Sequence, residues 1–271
     1  MSLAEQRAEM PASTAGILEA RSLETDFSRL YSFLLESQKP FLCVLDMGCG
    51  TGAITRGIAD LLGSRGFVIG ADVSDTMLEK ARIAHANVSN LEFVSADIYN
   101  LGFETEFDLV ICARVLQWLE YPIKAVQQMI NALKIGGALL VLDYNHLRGE
   151  LRPAPPESLA RALDVYYAWK ANAGMDNQIA DHLEGLFLEA GLSNVVVTPQ
   201  HEISTRGEPD FARRIALKTS IIASRGHQLV LEGWLLESER AAAEADGRIW
   251  EQDTATFQKL YLLSVEGIKA K

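Results

Sequence analysis

One stretch, Val44-Leu45-Asp46-Met47-Gly48-Cys49-Gly50-Thr51-Gly52, limits what this chain can fold into more than any other. The apolar run from Cys43 to Leu45 predicts a buried strand, and the three glycines beyond it predict a turn whose backbone no side chain shields. After Gly52 the apolar positions change period, with Ile54, Ile58, Leu61 and Leu62 at helical spacing. Strand, glycine turn and helix N-terminus together make a cradle for a nucleotide-like ligand. Gly48, Gly50 and Ala53 also satisfy the relaxed dinucleotide pattern G-x-G-x-x-G/A. A dinucleotide would bring a pyrophosphate to that turn, and Asp46, two residues ahead of the first glycine, opposes an anion there. Its carboxylate suits a cationic ligand.

Asp46-x-Gly48-x-Gly50-x-Gly52 resembles motif I of the class I S-adenosylmethionine-dependent methyltransferases, whose ligand carries an ammonium and a sulfonium. Further segments follow in that family's order. Phe67–Asp72 is a second apolar strand ending in an acid, Phe93–Ile98 is similar to the third strand and its loop, and Phe107–Cys112 to the fourth. Lys134–Val141 is similar to the glycine turn entering the fifth. The resemblance implies S-adenosyl-L-methionine as cofactor, with Asp46, Gly48, Cys49 and Gly50 at its methionine end, and Asp72 with Val73 at the ribose. It implies Asp97 and Ile98 at the adenine, and sets Met77 against that ring, although a methionine at helical spacing also serves as core. Arg114 matches a position that contacts the methionine portion in the family, where a smaller or amide residue is more usual. It can instead face the substrate and pair with an anion.

The implied fold is an α/β Rossmann-like sheet of seven strands, mostly parallel with an antiparallel last strand, and with helical cap insertions. Residues 1 to about 13 read as loose, and 1–40 as an N-terminal helical lid whose Phe27, Leu30, Tyr31 and Leu34 share one face. Tyr31 either meets substrate or packs on the sheet. Residues 41–146 form the cofactor-binding core, 147–193 a helical segment, and 194–271 the last two strands. Those strands, Val195–Val197 and Phe257–Val265, are separated by about fifty residues that read as helices. A connection so long needs structure of its own, and 208–255 is expected as a cap over the methyl-transfer pocket. A subunit interface in a homodimer is the other use of those helices.

Composition narrows the partners. A net charge of -11 with pI near 5.0 disfavours nucleic acid and anionic membrane surfaces. No apolar run reaches the length of a membrane span, and the N-terminus lacks the apolar core of a secretory signal. Cys43, Cys49 and Cys112 form neither a disulfide framework nor a zinc pattern, so a reduced cytoplasm is the expected home. No metal is expected, since Asp143 alone after the fifth strand is too little for magnesium.

The acceptor leaves fewer marks. Ala113-Arg114-Val115-Leu116 stands where amino-methylating relatives carry N/D-P-P-Y/F, which disfavours that class. Gln117-Trp118 is similar to a pair in methyltransferases of trans-aconitate and of malonyl carrier-protein thioesters, and marks both residues as candidate substrate contacts; Trp118 can equally be core. His146, just past the fifth strand, is the candidate general base. The expected activity is methyl transfer to a small, partly apolar molecule at oxygen, a carboxylate or a phenol. An NAD(P)-dependent oxidoreductase and a non-catalytic S-adenosylmethionine-binding protein are the alternatives.

Overall fold

A computed structural model of the chain describes residues 2–8 and 19–270. Among the described residues, three helices precede the sheet: α1 (Leu3–Ala8), α2 (Leu23–Asp26) and α3 (Ser28–Glu36). Then β1 (Leu42–Met47), α4 (Ala53–Leu62), β2 (Gly66–Asp72), α5 (Asp75–Ala84), β3 (Leu91–Ser95), β4 (Phe107–Ala113), α6 (Pro122–Ala132) and β5 (Leu133–Arg152) alternate along the chain. Helices α7 (Glu157–Asn172) and α8 (Ile179–Glu189) lead to β6 (Leu192–Pro199) and β7 (Glu202–Thr205). Helices α9 (Phe211–Ile215), α10 (Leu217–Leu231) and α11 (Glu237–Asp253) lie before β8 (Phe257–Lys269).

The sheet order is β3-β2-β1-β4-β5-β8-β6, with β7 also on β8. Strands β1 to β5 pair in parallel, and β8 runs antiparallel to β5, β6 and β7. There are eight strands where seven were expected. The reason is the length of β8: Leu263–Lys269 pairs with β6, and Phe257–Leu260 is left for the short β7. Strand β5 likewise runs on to Arg152, past residue 146, after which the helical segment was expected to begin, because β8 continues to pair with it.

Period-two alternation sends the strand side chains to two separate cores. Leu45, Val110, Cys112, Leu139 and Val141 meet α6 and α8 on one face. Val44, Leu109, Ile111, Leu140 and Leu142 meet α3 and α4 on the other. Leu30 and Leu34 of α3 are fully buried in that second core, and Tyr31 packs against it. Helix α3 is therefore a layer of the fold, and the expectation that Tyr31 meets substrate is corrected.

The long insertion does fold into helices. Leu159, Leu163, Tyr166 and Trp169 of α7 bury against Ile222 and Leu229 of α10, with Ala243 of α11 in a third core apart from the sheet. The N-terminus is not loose throughout either, since α1 is docked on this helical layer. Arg7, 3% exposed, donates to the Trp169 carbonyl at 2.5 Å and to Glu232 Oε2 at 3.0 Å through Nε. The remainder of the stretch expected to be loose, residues 9–13, lies outside the described residues. Arg7→Ala removes charge-assisted hydrogen bonds to the partly exposed Glu232 and the bond to the Trp169 carbonyl, so it should destabilise by roughly 1.5–3 kcal/mol. The check is the urea midpoint, which should fall with an unchanged m-value; an unmoved midpoint would show that α1 adds nothing to the helical layer.

Candidate active site

The turn after β1 is held by its neighbour strand. The amides of Gly48 and Cys49 both donate to the Ala71 carbonyl, at 2.7 and 3.1 Å, and the Gly50 amide donates to Asp72 Oδ2 at 2.8 Å. Asp72 also accepts from the Ser74 amide at 2.9 Å, and the Ser74 hydroxyl caps α5 by accepting from the Met77 amide. Gly48 has φ +78, and a Cβ there would collide with Val115 just past β4. Each requirement leaves glycine as the residue that fits.

Asp46 ends β1 at 3% exposure, accepting from the Thr55 hydroxyl at 2.6 Å. Burial pushes its carboxyl up from 3.8 to about 7, and the nearby Asp72 adds to the rise. A cation placed beside it reverses that penalty. The glycine turn opens on a cavity of about 890 Å³, within the range of small-molecule sites. Asp46, Gly48, Cys49, Gly50, Asp72, Val73, Met77, Asp97, Ile98 and Arg114 all border it, as do Gln117, Trp118 and His146. Asp97 is exposed there, with Oδ1 taken by the Tyr99 amide at 2.9 Å and the other oxygen unengaged among the described residues. A cradle that a Cβ would fill, a buried carboxylate in need of a cation, and two acids on the next two strands fit S-adenosylmethionine. Tyr31 is the one sequence candidate that the cavity does not reach.

The strand order divides the cavity. Asp46 and Asp72 at the carboxyl ends of β1 and β2, and Asp97 just past β3, lie on one side; Arg114, His146 and the cap come from the β4 and β5 side. Arg114 does not follow the expected cofactor contact: at φ 64 its guanidinium turns to Tyr144 Oη (2.9 Å), the Asp26 carbonyl (2.7 Å) and Glu202 Oε1 (2.6 Å). Gln117, 3% exposed, accepts at Oε1 from His146 Nε2 at 2.5 Å and from Lys170 Nζ at 3.0 Å. Gln117 Nε2 donates to the Arg114 carbonyl at 3.3 Å, which fixes the amide orientation, puts the imidazole proton on Nε2 and leaves Nδ1 an acceptor. His146 lies stacked between Tyr144 and Tyr167, with centroids at 5.0 and 5.4 Å. Its burial, then Lys170 and Lys218, hold it well below 6.5, so the ring is neutral at neutral pH. Burial likewise lowers Lys170 to about 7, with Asp143 opposing the shift. Trp118 lies between two cations, Lys170 Nζ at 4.3 Å and Arg225 at 4.9 Å from its ring.

Tyr144, Lys170, Lys218 and Arg225 escaped the sequence reading. Lys218 and Arg225 belong to the buried face of α10 together with Ile222 and Leu229. Cations in a buried helical stripe at i, i+4, i+7 and i+11 are a legible signal, because burying charge is costly without a purpose. Lys170 sits beside the buried Trp169 in the same way.

Two results should follow from the glycine turn and Asp46. Gly48→Ala should weaken S-adenosylhomocysteine about tenfold or more in a titration, as the strained φ alone costs ~1–2 kcal/mol. For Asp46 the sign is definite. Its folded value is raised, so its contribution to stability is present below pH 4 and is lost as pH rises through about 7. The ligand's ammonium needs the ionised form, so affinity should fall as pH drops below 7. Asp46→Asn should abolish that pH dependence and leave the ligand-free protein at least as stable at pH 8; a destabilised Asn variant would contradict the assignment.

Comparison with known proteins agrees with this geometry. Residues 39–188 match the sequence profile of a methyltransferase domain. The ubiquinone/menaquinone biosynthesis C-methyltransferase UbiE of Ectopseudomonas mendocina is 34% identical over 140 residues, covering 50% of this chain and 52% of that protein. A demethylmenaquinone methyltransferase of Staphylococcus epidermidis is 28% identical over 166 residues, 56% of this chain and 68% of that protein. The chain thus matches about half to two thirds of the length of these curated relatives. In fold, it is similar to a SAM-dependent methyltransferase from Aquifex aeolicus (TM-score 0.54, 14% identity, 96% of this chain and 100% of the other). It is also similar to Haemonchus contortus phosphoethanolamine N-methyltransferase 2 in complex with S-adenosyl-L-methionine (TM-score 0.56, 19% identity, 91% and 52%). The oxidoreductase alternative is not favoured: the chain belongs to the methyltransferase-domain family, and its fold is that of class I S-adenosylmethionine-dependent methyltransferases.

Proposed function

We propose that the acceptor is a small, partly apolar molecule bearing an acidic hydroxyl, a phenol, an enol or a carboxylic acid, and that His146 takes its proton. The observation that carries this is the neutral His146 with a fixed Nε2 proton and an open Nδ1, in a cavity that Trp118, Tyr144 and Tyr166 also line. When bound, S-adenosylmethionine supplies a methyl group on a sulfonium whose positive charge is lost on transfer. The protein has to align the acceptor, exclude water and remove a proton. An imidazole held well below 6.5 is a weak base, so it matches an acidic hydroxyl better than an aliphatic alcohol or an ammonium. Gln117 keeps the ring in one tautomer, and the aromatic walls supply the apolar part.

Oxygen is the first expectation for the methylated atom. The UbiE relative named above is a C-methyltransferase by name, and that favours a second reading, transfer to a ring carbon activated by an adjacent ionised hydroxyl. The same base serves both. Tritiated methyl from S-adenosylmethionine, tried with phenols, naphthols and aromatic acids, separates the outcomes, since a methyl ester is released by mild alkali while an aryl ether or a C-methyl product is not. Mass fragmentation then tells ether from carbon. In whichever reaction is found, His146→Ala should lower kcat by about 10²–10⁴ with little change in S-adenosylhomocysteine binding. An unchanged kcat would remove the base assignment.

A further inference from the structure

The chain carries a net charge of -11, and Glu5, Asp75 and Glu120 line the cavity besides Asp46, Asp72 and Asp97, yet four cations, Arg21, Arg114, Lys218 and Arg225, also border it. Their side chains are unevenly partnered. Arg114 is 5% exposed, and three of its contacts are made by Nε and Nη2, while Nη1 is buried with no hydrogen-bond partner. Its one carboxylate, Glu202, is shared with Arg214 Nη1 at 3.4 Å. The second carboxylate nearby, Asp26, is taken up locally by the Ser22 amide at 2.8 Å and the Thr25 hydroxyl at 2.9 Å. Arg21, beside them, makes no side-chain hydrogen bond among the described residues; burial and then Arg114 disfavour its charge, against the pull of Tyr144, Glu202 and Asp26. A buried guanidinium N–H without an acceptor is costly, and two guanidiniums facing one cavity offer the forked donors that oxyanions match.

We infer that the acceptor carries an oxyanion, a carboxylate or a phosphate, and that Arg21 and Arg114 seat it as a recognition handle at their side of the cavity. This rests on the acceptor site proposed above and adds the class of molecule that the site selects. The handle separates the two ligands by charge, because the cationic end of the cofactor goes to Asp46 and the anion goes to the arginines. Lys218, whose Nζ is 2.7 Å from Tyr167 Oη, adds a third positive charge along the same wall.

The test is calorimetric titration of the full chain, saturated with S-adenosylhomocysteine, using benzoate, phenyl phosphate and neutral benzamide. At least one anion should bind tenfold or more tighter than benzamide, and the better anion identifies the handle as carboxylate or phosphate. Arg21→Gln should abolish that preference and keep S-adenosylhomocysteine affinity within twofold, which also reports that the variant is folded. Arg114→Lys, which keeps the charge and loses the fork, should weaken the anion several-fold. Equal affinity for all three probes, binding of none of them, or an anion preference intact in Arg21→Gln overturns the inference. Failure of S-adenosylhomocysteine itself to bind would count against the cofactor site, and the anion arms, run without it, still decide the handle.

Discussion

The Ala71 carbonyl, receiving the amides of both Gly48 and Cys49, fixes the glycine turn against the end of β2, and the site is organised from that point. With the turn held there, Gly50 reaches the Asp72 carboxylate, Ser74 caps α5, and Asp46 is left buried beneath the loop. Each is placed by a strand end or a helix start, which is how an α/β sheet positions a ligand at the carboxyl edge of its strands. The cost is a carboxylate held near neutrality by burial, and a cationic ligand relieves it.

The second feature of the cavity is its division by charge. Three acids stand at or just past the carboxyl ends of β1 to β3, and arginines and lysines come from β4, α2's approach and the cap. Such a split gives each ligand its own end without a wall between them. Lys170 and Arg225 both lie against the Trp118 ring, and Lys170, with Lys218, also acts on the base candidate His146. The cap's own core, centred on Trp169, keeps these charges in place over the sheet. No helix among the described residues is long and apolar enough to cross a membrane.

The cofactor side was legible in the sequence because its residues are local. Asp46 through Gly52, Asp72 and Asp97 each sit at a strand end, so a motif and a period suffice to find them. The acceptor side was legible only in part. Gln117, Trp118 and His146 follow strands or stand late in them and could be named, but Lys170, which donates to Gln117, and Lys218, which lines the same cavity, arrive from helices with no motif. Tyr31 was misplaced because an amphipathic helix before the sheet has the same pattern whether it covers a pocket or a sheet face. Burial of Leu30 and Leu34 decided for the sheet. Arg114 was found but misassigned, since nothing in its neighbours' spacing revealed that Glu202, far along the chain, would claim it. The eighth strand depends on the length of β8, a pairing that no local pattern records.

The most direct test of the account is isothermal titration of the purified protein with S-adenosylhomocysteine, with NAD and NADP run in parallel. The account predicts one site for S-adenosylhomocysteine, lost or markedly weakened in Asp72→Ala, and no heat from either nicotinamide cofactor. Binding of a nicotinamide cofactor, or S-adenosylhomocysteine affinity indifferent to Asp72, would contradict the reading of the glycine turn on which everything else is built.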